Sequence, residues 1–452
     1  MRSSLTAAAT RLSQDWAGPA RLHLEGGSIA AIEALAEPAA AGTDLVVPAV
    51  PNLHSHAFQR SIAGLTEVRS STGDDFWSWR QAMYRSLALL TPDDVRAIAT
   101  QLYVEMVCAG YSRVCEFHYL HNDADGRPYA QGAGMAEALI EAAATAGIGL
   151  TLVPVLYTSS NFGGQPPEPG QRRFVQSLDL YARLVDELRS RAGRDGFAVG
   201  LGVHSLRAAT PDEMRAVLAI DDRLPVHLHI AEQVKEVDDC LAWSGRRPVE
   251  WLLGEFAVDA RWCLVHATHM TDAEAAGLAK TGATVALCPT TEGNLGDGFF
   301  NADTYFAHGG RWGVGSDSHV SLDPREELRW LEAGRRLRHR RRGLSATEAQ
   351  PHVGAWLWQQ AASAAAPTGI RAGELAAGAR ADFVVLDGEH PQLVARAGDA
   401  LLDSLVFVNA GRSPIREVWI GGERVVADGR HVREAEARRD YARTMTRLRD
   451  AA

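Results

Sequence analysis

The chain of 452 residues has no uninterrupted apolar run of the roughly 18 residues that a membrane-spanning helix requires. Its start, Met1-Arg-Ser-Ser-Leu-Thr-Ala-Ala-Ala, lacks the continuous apolar core of a secretory signal, so a cytoplasmic location is expected. Cysteine is scarce: Cys108, Cys115, Cys240, Cys263 and Cys288 are odd in number and never spaced Cys-x-x-Cys. That argues for reduced packing thiols and against a disulfide framework or a zinc ribbon. Positive charge is outweighed, and the net charge of −10 disfavours polyanions, so no nucleic-acid partner is expected. The one strongly basic run, Arg335 to Arg342, follows Glu326, Glu327 and Glu332, as in a helix with an acidic start and a basic finish. Lysine is nearly absent, with only Lys235 and Lys280. No internal repeat or low-complexity linker is present.

What is present is a repeated alternation of short apolar runs with longer helical stretches. Strands are expected to begin at Leu45 (to His56), Ser112 (to His118), Gly149 (to Tyr157), Ala198 (to Ser205), Pro225 (to His229), Trp262 (to His266), Thr284 (to Cys288) and Arg311 (to Ser316). Between the first two, Thr91 is a good N-cap, Pro92 suits the first helical position, Asp93 and Asp94 favour the positive end, and Gly110 ends the helix. Eight strands alternating with helices point to an α/β fold, a (β/α)8 TIM-type barrel with its site at the C-terminal strand ends. The barrel is expected over 48–367, its last helix ending near Ala361 to Pro367. Residues 1–47, with a hairpin from Arg21 to Ile32, and 368–452, with strands at Phe383–Leu386, Glu417–Ile420 and Arg424–Ala427 and a terminal helix, are expected to form one small β-domain.

Histidine placement carries the chemistry. Ten of the 16 histidines (His54, His56, His118, His121, His204, His227, His229, His266, His269 and His319) fall at or just past these strand ends. His54 and His56, two apart, share one face of a strand. With His229 and Asp317 they make a nitrogen-and-oxygen set suited to zinc, with a position left for water.

These placements, together with the tail Gly373-Glu-Leu-Ala-Ala-Gly-Ala-Arg-Ala-Asp-Phe-Val-Val-Leu-Asp387, resemble the amidohydrolase superfamily over nearly the whole chain. The stretches Pro51-Asn-Leu-His-Ser-His-Ala-Phe-Gln-Arg60, Phe76-Trp-Ser-Trp-Arg80, Glu116-Phe-His-Tyr119, His204-Ser-Leu-Arg207, His227-Leu-His-Ile-Ala-Glu-Gln233 and Gly315-Ser-Asp-Ser-His-Val320 are similar to superfamily members that act on a linear amidine. The resemblance implies hydrolytic deimination of N-formimino-L-glutamate to N-formyl-L-glutamate and ammonia, a step of histidine degradation. It also implies a homodimer. Two-metal members bridge their ions with a carboxylated lysine, usually from strand four, and neither lysine here stands at a strand end, so one zinc per chain is expected.

Adding water to a C=N carbon and expelling ammonia requires an acid and a base close together. Glu232, three residues after His229, is the expected proton carrier to the departing nitrogen; His266 is expected as general base, and His266 and Asp317 both remain candidates for the first proton. Arg80 and Arg207 are expected to meet the substrate's two carboxylates. The resemblance adds Gln59, Tyr119 and His204 as substrate contacts, and His227 is read as a donor behind the ligands. Two rival readings stand beside this one: a one-zinc deaminase acting on a purine, pyrimidine or triazine ring, and a non-catalytic assembly protein that kept the barrel.

Overall fold

The computed structural model describes every residue except 1, 13–14, 37–41, 70–75, 130–132, 371–372, 410 and 452. Eight parallel strands follow one another around a barrel: β1 (Val50–Ser55), β2 (Tyr111–His118), β3 (Gly149–Leu156), β4 (Leu201–Ser205), β5 (Val226–Ile230), β6 (Trp262–His266), β7 (Thr284–Leu287) and β8 (Arg311–Val314). Most of their residues are buried, which is why each reads as an apolar run and not as an alternating one. Helices α1 (Phe76–Leu87), α2 (Pro92–Cys108), α3 (Pro289–Leu295), α4 (Pro324–His339) and α5 (Val353–Ser363) are among those outside the strands. Helix α2 begins with the expected capping box, Thr91 and Asp94 each accepting the other's backbone N–H.

The barrel closes where β8 runs past β1. Beyond the strand proper, the N–H of Asp317 donates to the carbonyl of His54 and that of His56 to the carbonyl of Asp317, at 3.0 and 3.3 Å. Buried Asn52 laces the same seam: its Oδ1 accepts from the N–H groups of His54 and Ser316, and its Nδ2 donates to Ser316 Oγ at 2.7 Å. Glycine is what allows so close an approach. A Cβ on Gly315 would stand 2.8 Å from His54 Cβ and 2.9 Å from its backbone nitrogen, and one on Gly313 would meet Leu53 Cδ1 at 2.6 Å.

Both chain ends supply further sheets. Arg2–Ala7, Ala20–Glu25 and Ser28–Ala34 form a three-stranded antiparallel sheet. Leu45–Pro48 and Phe383–Leu386 pair at the centre of a seven-stranded one, and Leu22, Leu24, Ile29, Val46, Phe383 and Val385 share a buried cluster between the two.

The expected strand from Leu45 to His56 is therefore two strands. Leu45–Pro48 pairs antiparallel with the C-terminal strand, and the chain then crosses at Ala49 to begin the barrel. Both halves are fully covered, so hydropathy carries no mark of the change of partner. The expected strand from Ala198 to Ser205 likewise breaks at Gly200, its first part pairing with β3 alone. The basic run lies largely at the end of α4, where the chain's own acids hold much of it: Arg336 donates to buried Glu332 at 2.7 Å and Arg335 to Asp303 at 2.7 Å, and Arg340 ends the helix in a left-handed conformation.

Gly315→Ala should accordingly destabilise the protein by ~1–3 kcal/mol, the usual range for an overfilled core, and should weaken metal retention because the displaced atoms belong to His54. Thermal unfolding with and without chelator, together with elemental analysis, checks this; a variant as stable and as metal-replete as wild type would mean that the seam does not constrain the site.

Candidate active site

The C-terminal ends of β1, β5 and β8 bring His54, His56, His229 and Asp317 together, all buried, with one donor atom from each within 4.8 Å of the others. His54 Nε2 lies 3.0 Å from the Nε2 of both His56 and His229, and Asp317 Oδ1 lies 3.5 and 3.3 Å from the Nε2 atoms of His54 and His56. The tautomers of two rings are fixed from behind. His56 Nδ1 donates to the carbonyl of Phe117 at 3.0 Å and His229 Nδ1 to that of His204 at 2.8 Å, so both turn an Nε2 lone pair inward. A single N–H on His54 does not satisfy two lone pairs and a carboxylate; a cation does. Burial, reinforced by the neighbouring imidazoles, pushes the pKa values of His54 and His229 well below the ordinary range and that of His56 down to about 3, so the rings are neutral donors, the form a metal binds. The donor set thus fits a divalent metal ion.

The turn that carries the two β1 ligands is held by Glu116 of β2. Its carboxylate accepts the Ser55 hydroxyl and the Ala57 N–H, each at 2.6 Å, and the Tyr103 hydroxyl at 3.0 Å. Burial lifts its pKa to about 7. Glu116 has no place among the expected site residues; the available signal is a carboxylate within a strand whose eight residues are all buried.

His266, ending β6, and Glu232, just past β5, stand on one side of the ligand cluster. His266 Nε2 lies 3.7 Å from Glu232 Oε1 and 3.8 Å from Asp317 Oδ2, while its Nδ1 faces Glu292 Oε1 at 3.3 Å. Burial raises the Glu232 carboxyl to about 7, against the pull of His266. Burial also opposes a charge on His266, but the carboxylates of Glu232, Asp317 and Glu292 outweigh it and raise that ring to about 10. Ala231, His266, Ala267, Asp317 and His319 all hold positive φ between 44° and 68°, so strain is concentrated at these strand ends.

A pocket opens over this cluster, and Gln59, Arg80, Tyr119, His204 and Arg207 line it together with His56, His229, Glu232, His266 and Asp317. All the expected substrate contacts are therefore brought to one place. Gln59 Nε2 donates to the Tyr119 hydroxyl at 3.0 Å and leaves its own Oε1 without a partner. Arg80 and Arg207 lie against the Trp77 ring, at 4.7 and 5.8 Å from its centroid. Arg80 has Glu168 at 3.8 Å. Arg207 is buried, its Nε makes no hydrogen bond, and no carboxylate among the described residues pairs with it. Tyr84, Tyr157 and Phe174, absent from the expected set, complete the aromatic wall. His227 differs from its expected place: it lies deeper in the barrel, where Nε2 donates to the carbonyl of Pro367 at 2.9 Å and supports no ligand.

The Amidohydrolase family model matches residues 45–425. A formimidoylglutamate deiminase of Pseudomonas aeruginosa is 49% identical over 99% of this chain and 100% of its own length. A 5-methylthioadenosine/S-adenosylhomocysteine deaminase of Haloarcula marismortui is 28% identical over 86% of this chain and 82% of its own. Among solved structures, an amidohydrolase from Brucella melitensis superposes with a TM-score of 0.93 at 46% identity, covering 98% of this chain and 99% of that one. A zinc-bound adenosine deaminase from Xanthomonas campestris shares the fold, with a TM-score of 0.82 at 20% identity over 99% and 98% of the two chains. Carrying the family's match along nearly all its barrel, with a buried His and Asp cluster at the strand ends, the chain belongs to the amidohydrolase family.

Proposed function

We infer that the chain is a metal-dependent deiminase that hydrolyses N-formimino-L-glutamate to N-formyl-L-glutamate and ammonia, in histidine degradation. Beside the near-full-length similarity to a formimidoylglutamate deiminase, one observation carries the choice of substrate: a buried guanidinium, Arg207, opens onto the pocket with no carboxylate among the described residues in ion-pair contact with it. A desolvated cation of this kind calls for a carboxylate from the ligand. Arg80, which packs against the same tryptophan and lines the same pocket, takes the second carboxylate. The aromatic wall alone would also suit a ring, but a neutral ring leaves the Arg207 guanidinium without a carboxylate partner.

The metal we propose is zinc, one per chain, held by His54, His56, His229 and Asp317; the three imidazoles and one carboxylate support it. Neither lysine is available as a bridge to a second ion, since Lys235 pairs with Asp239 at 2.7 Å and Lys280 ends a helix remote from the pocket. When bound, such an ion supplies Lewis acidity and lowers the pKa of water toward about 7. In the reaction an O–C bond forms at the C=N carbon, the C–N bond to the departing nitrogen breaks with its electron pair, and both protons of the water end on that nitrogen. Glu232, with its carboxyl raised to about 7 by burial, is populated in both forms near neutrality and carries a proton to the nitrogen. The carboxylates around His266 keep its ring protonated near neutrality, so it steadies the tetrahedral centre as a cation and does not fill the expected role of general base. Asp317, facing the same space, is the candidate for the first proton. Gln59, Tyr119 and His204, lining the same pocket, orient the substrate. A homodimer rests on the family resemblance, and a cytoplasmic location fits the five unpaired cysteines.

Ammonia release with N-formimino-L-glutamate, compared with guanine and cytosine, tests the reading: turnover confined to the formimino compound is expected, and turnover of a ring alone would replace it. Glu232→Gln should lower kcat by roughly 10²- to 10⁴-fold with metal retained; near-normal kcat in metal-replete protein would remove Glu232 from the chemistry. Arg207→Met should lower kcat/KM by about 30-fold to several thousand-fold, since breaking a buried charge pair costs roughly 2 to 5 kcal/mol. A neutral formimino compound should feel that substitution far less; an equal proportional loss on both would mean that Arg207 only supports the barrel.

A further inference from the structure

Behind His266 stands a carboxylate that the mechanism above does not use. Glu292 belongs to the first turn of the short helix α3, just after β7, and is buried. Its Oε1 lies 3.3 Å from His266 Nδ1 and also accepts the N–H of Cys288 at 2.9 Å. A carboxylate facing a ring nitrogen fixes that nitrogen as the donor. The helix carrying it is itself pinned from outside: fully buried Glu327 of α4 accepts the Thr290 N–H at 2.9 Å and the Thr290 hydroxyl at 2.6 Å. Gly293 completes the fit, because a Cβ there would stand 3.0 Å from the Trp330 ring.

We propose that Glu292 is a positioning residue for the reaction, accepting the Nδ1–H of His266 and so turning Nε2 into the space shared with Glu232 and Asp317. The geometry supports this at both ends. His266 sits at φ +68°, where the backbone alone does not favour it, and a fixed ring partner on the far side opposes relaxation. On the near side Nε2 has Glu232 and Asp317 at 3.7 and 3.8 Å, just beyond hydrogen-bond length, so it makes no hydrogen bond to either carboxylate, and all three residues line the pocket. Without Glu292 the ring would be free to turn over about its Cβ–Cγ bond, placing Cε1 where Nε2 now stands.

The inference rests on the proposed role of His266, and a double-mutant cycle separates the two. Glu292→Gln, which is isosteric and still able to accept both N–H groups through its oxygen, should lower kcat about tenfold; Glu292→Leu should lower it 100-fold or more. KM should stay within threefold and metal content unchanged in both. In a His266→Ala background, Glu292→Gln should cost nothing further. Independently of turnover, the wild-type proton NMR spectrum should show a downfield imidazole N–H resonance that is missing in His266→Ala and moves upfield in Glu292→Gln. If His266→Ala is itself fully active, the mechanism falls while the resonance still reports the contact. If His266→Ala is impaired but Glu292→Gln and Glu292→Leu keep wild-type kcat, or if Glu292→Gln costs as much in the His266→Ala background as in wild type, the proposal is wrong.

Discussion

Two imidazole lone pairs and a carboxylate oxygen converge on a third imidazole in a buried space, and the rest of the molecule is arranged to keep them there. Left without a cation, such a group costs free energy, because acceptors removed from water find no matching donors. The barrel makes the arrangement tolerable by fixing each ring from behind with a backbone carbonyl, at Phe117 for His56 and at His204 for His229. Those carbonyls come from β2 and β4, so two pairs of neighbouring strands, β1 with β2 and β4 with β5, must be in register before the site exists.

The seam between β1 and β8 performs the same task for the other two ligands. Across it the Asp317 N–H donates to the His54 carbonyl and the Asp317 carbonyl accepts from His56, Asn52 holds the His54 N–H, and a Cβ on Gly315 would press on His54. Left-handed backbone at His266 and Asp317 is the local strain that this rigidity sustains. Charge is distributed with equal economy: Glu116 is kept away from the ligands by three donors of its own, whereas Glu232 faces the pocket with His266 as its close partner. One carboxylate holds a turn and the other is left able to exchange a proton.

Much of this was legible before any coordinates. Strand ends are marked by the apolar run giving way to polar residues, so His54, His56, His229, His266 and Asp317 could each be placed at the mouth of a barrel, and the structure brings them together. Arg80 and Arg207 follow from the positive charge that a dicarboxylate requires, Gln59, Tyr119 and His204 from resemblance, and all five line one pocket. What could not be read were changes of partner inside continuous apolar segments: the crossing at Ala49 leaves no trace, because both sheets bury both faces. Nor could periodicity distinguish His227 from His229, which share a strand face while only the second reaches the cluster. Glu116 and Glu292 escaped notice because a single acidic residue in an apolar context gains meaning only from what the fold sets opposite it.

The convergent cluster is best tested by stripping the protein of metal and titrating zinc back while following ammonia release. Activity should rise linearly and break at one ion per chain, with thermal stability rising over the same range. A break at two ions per chain, or full activity before any metal is added, would contradict a single cation held by His54, His56, His229 and Asp317.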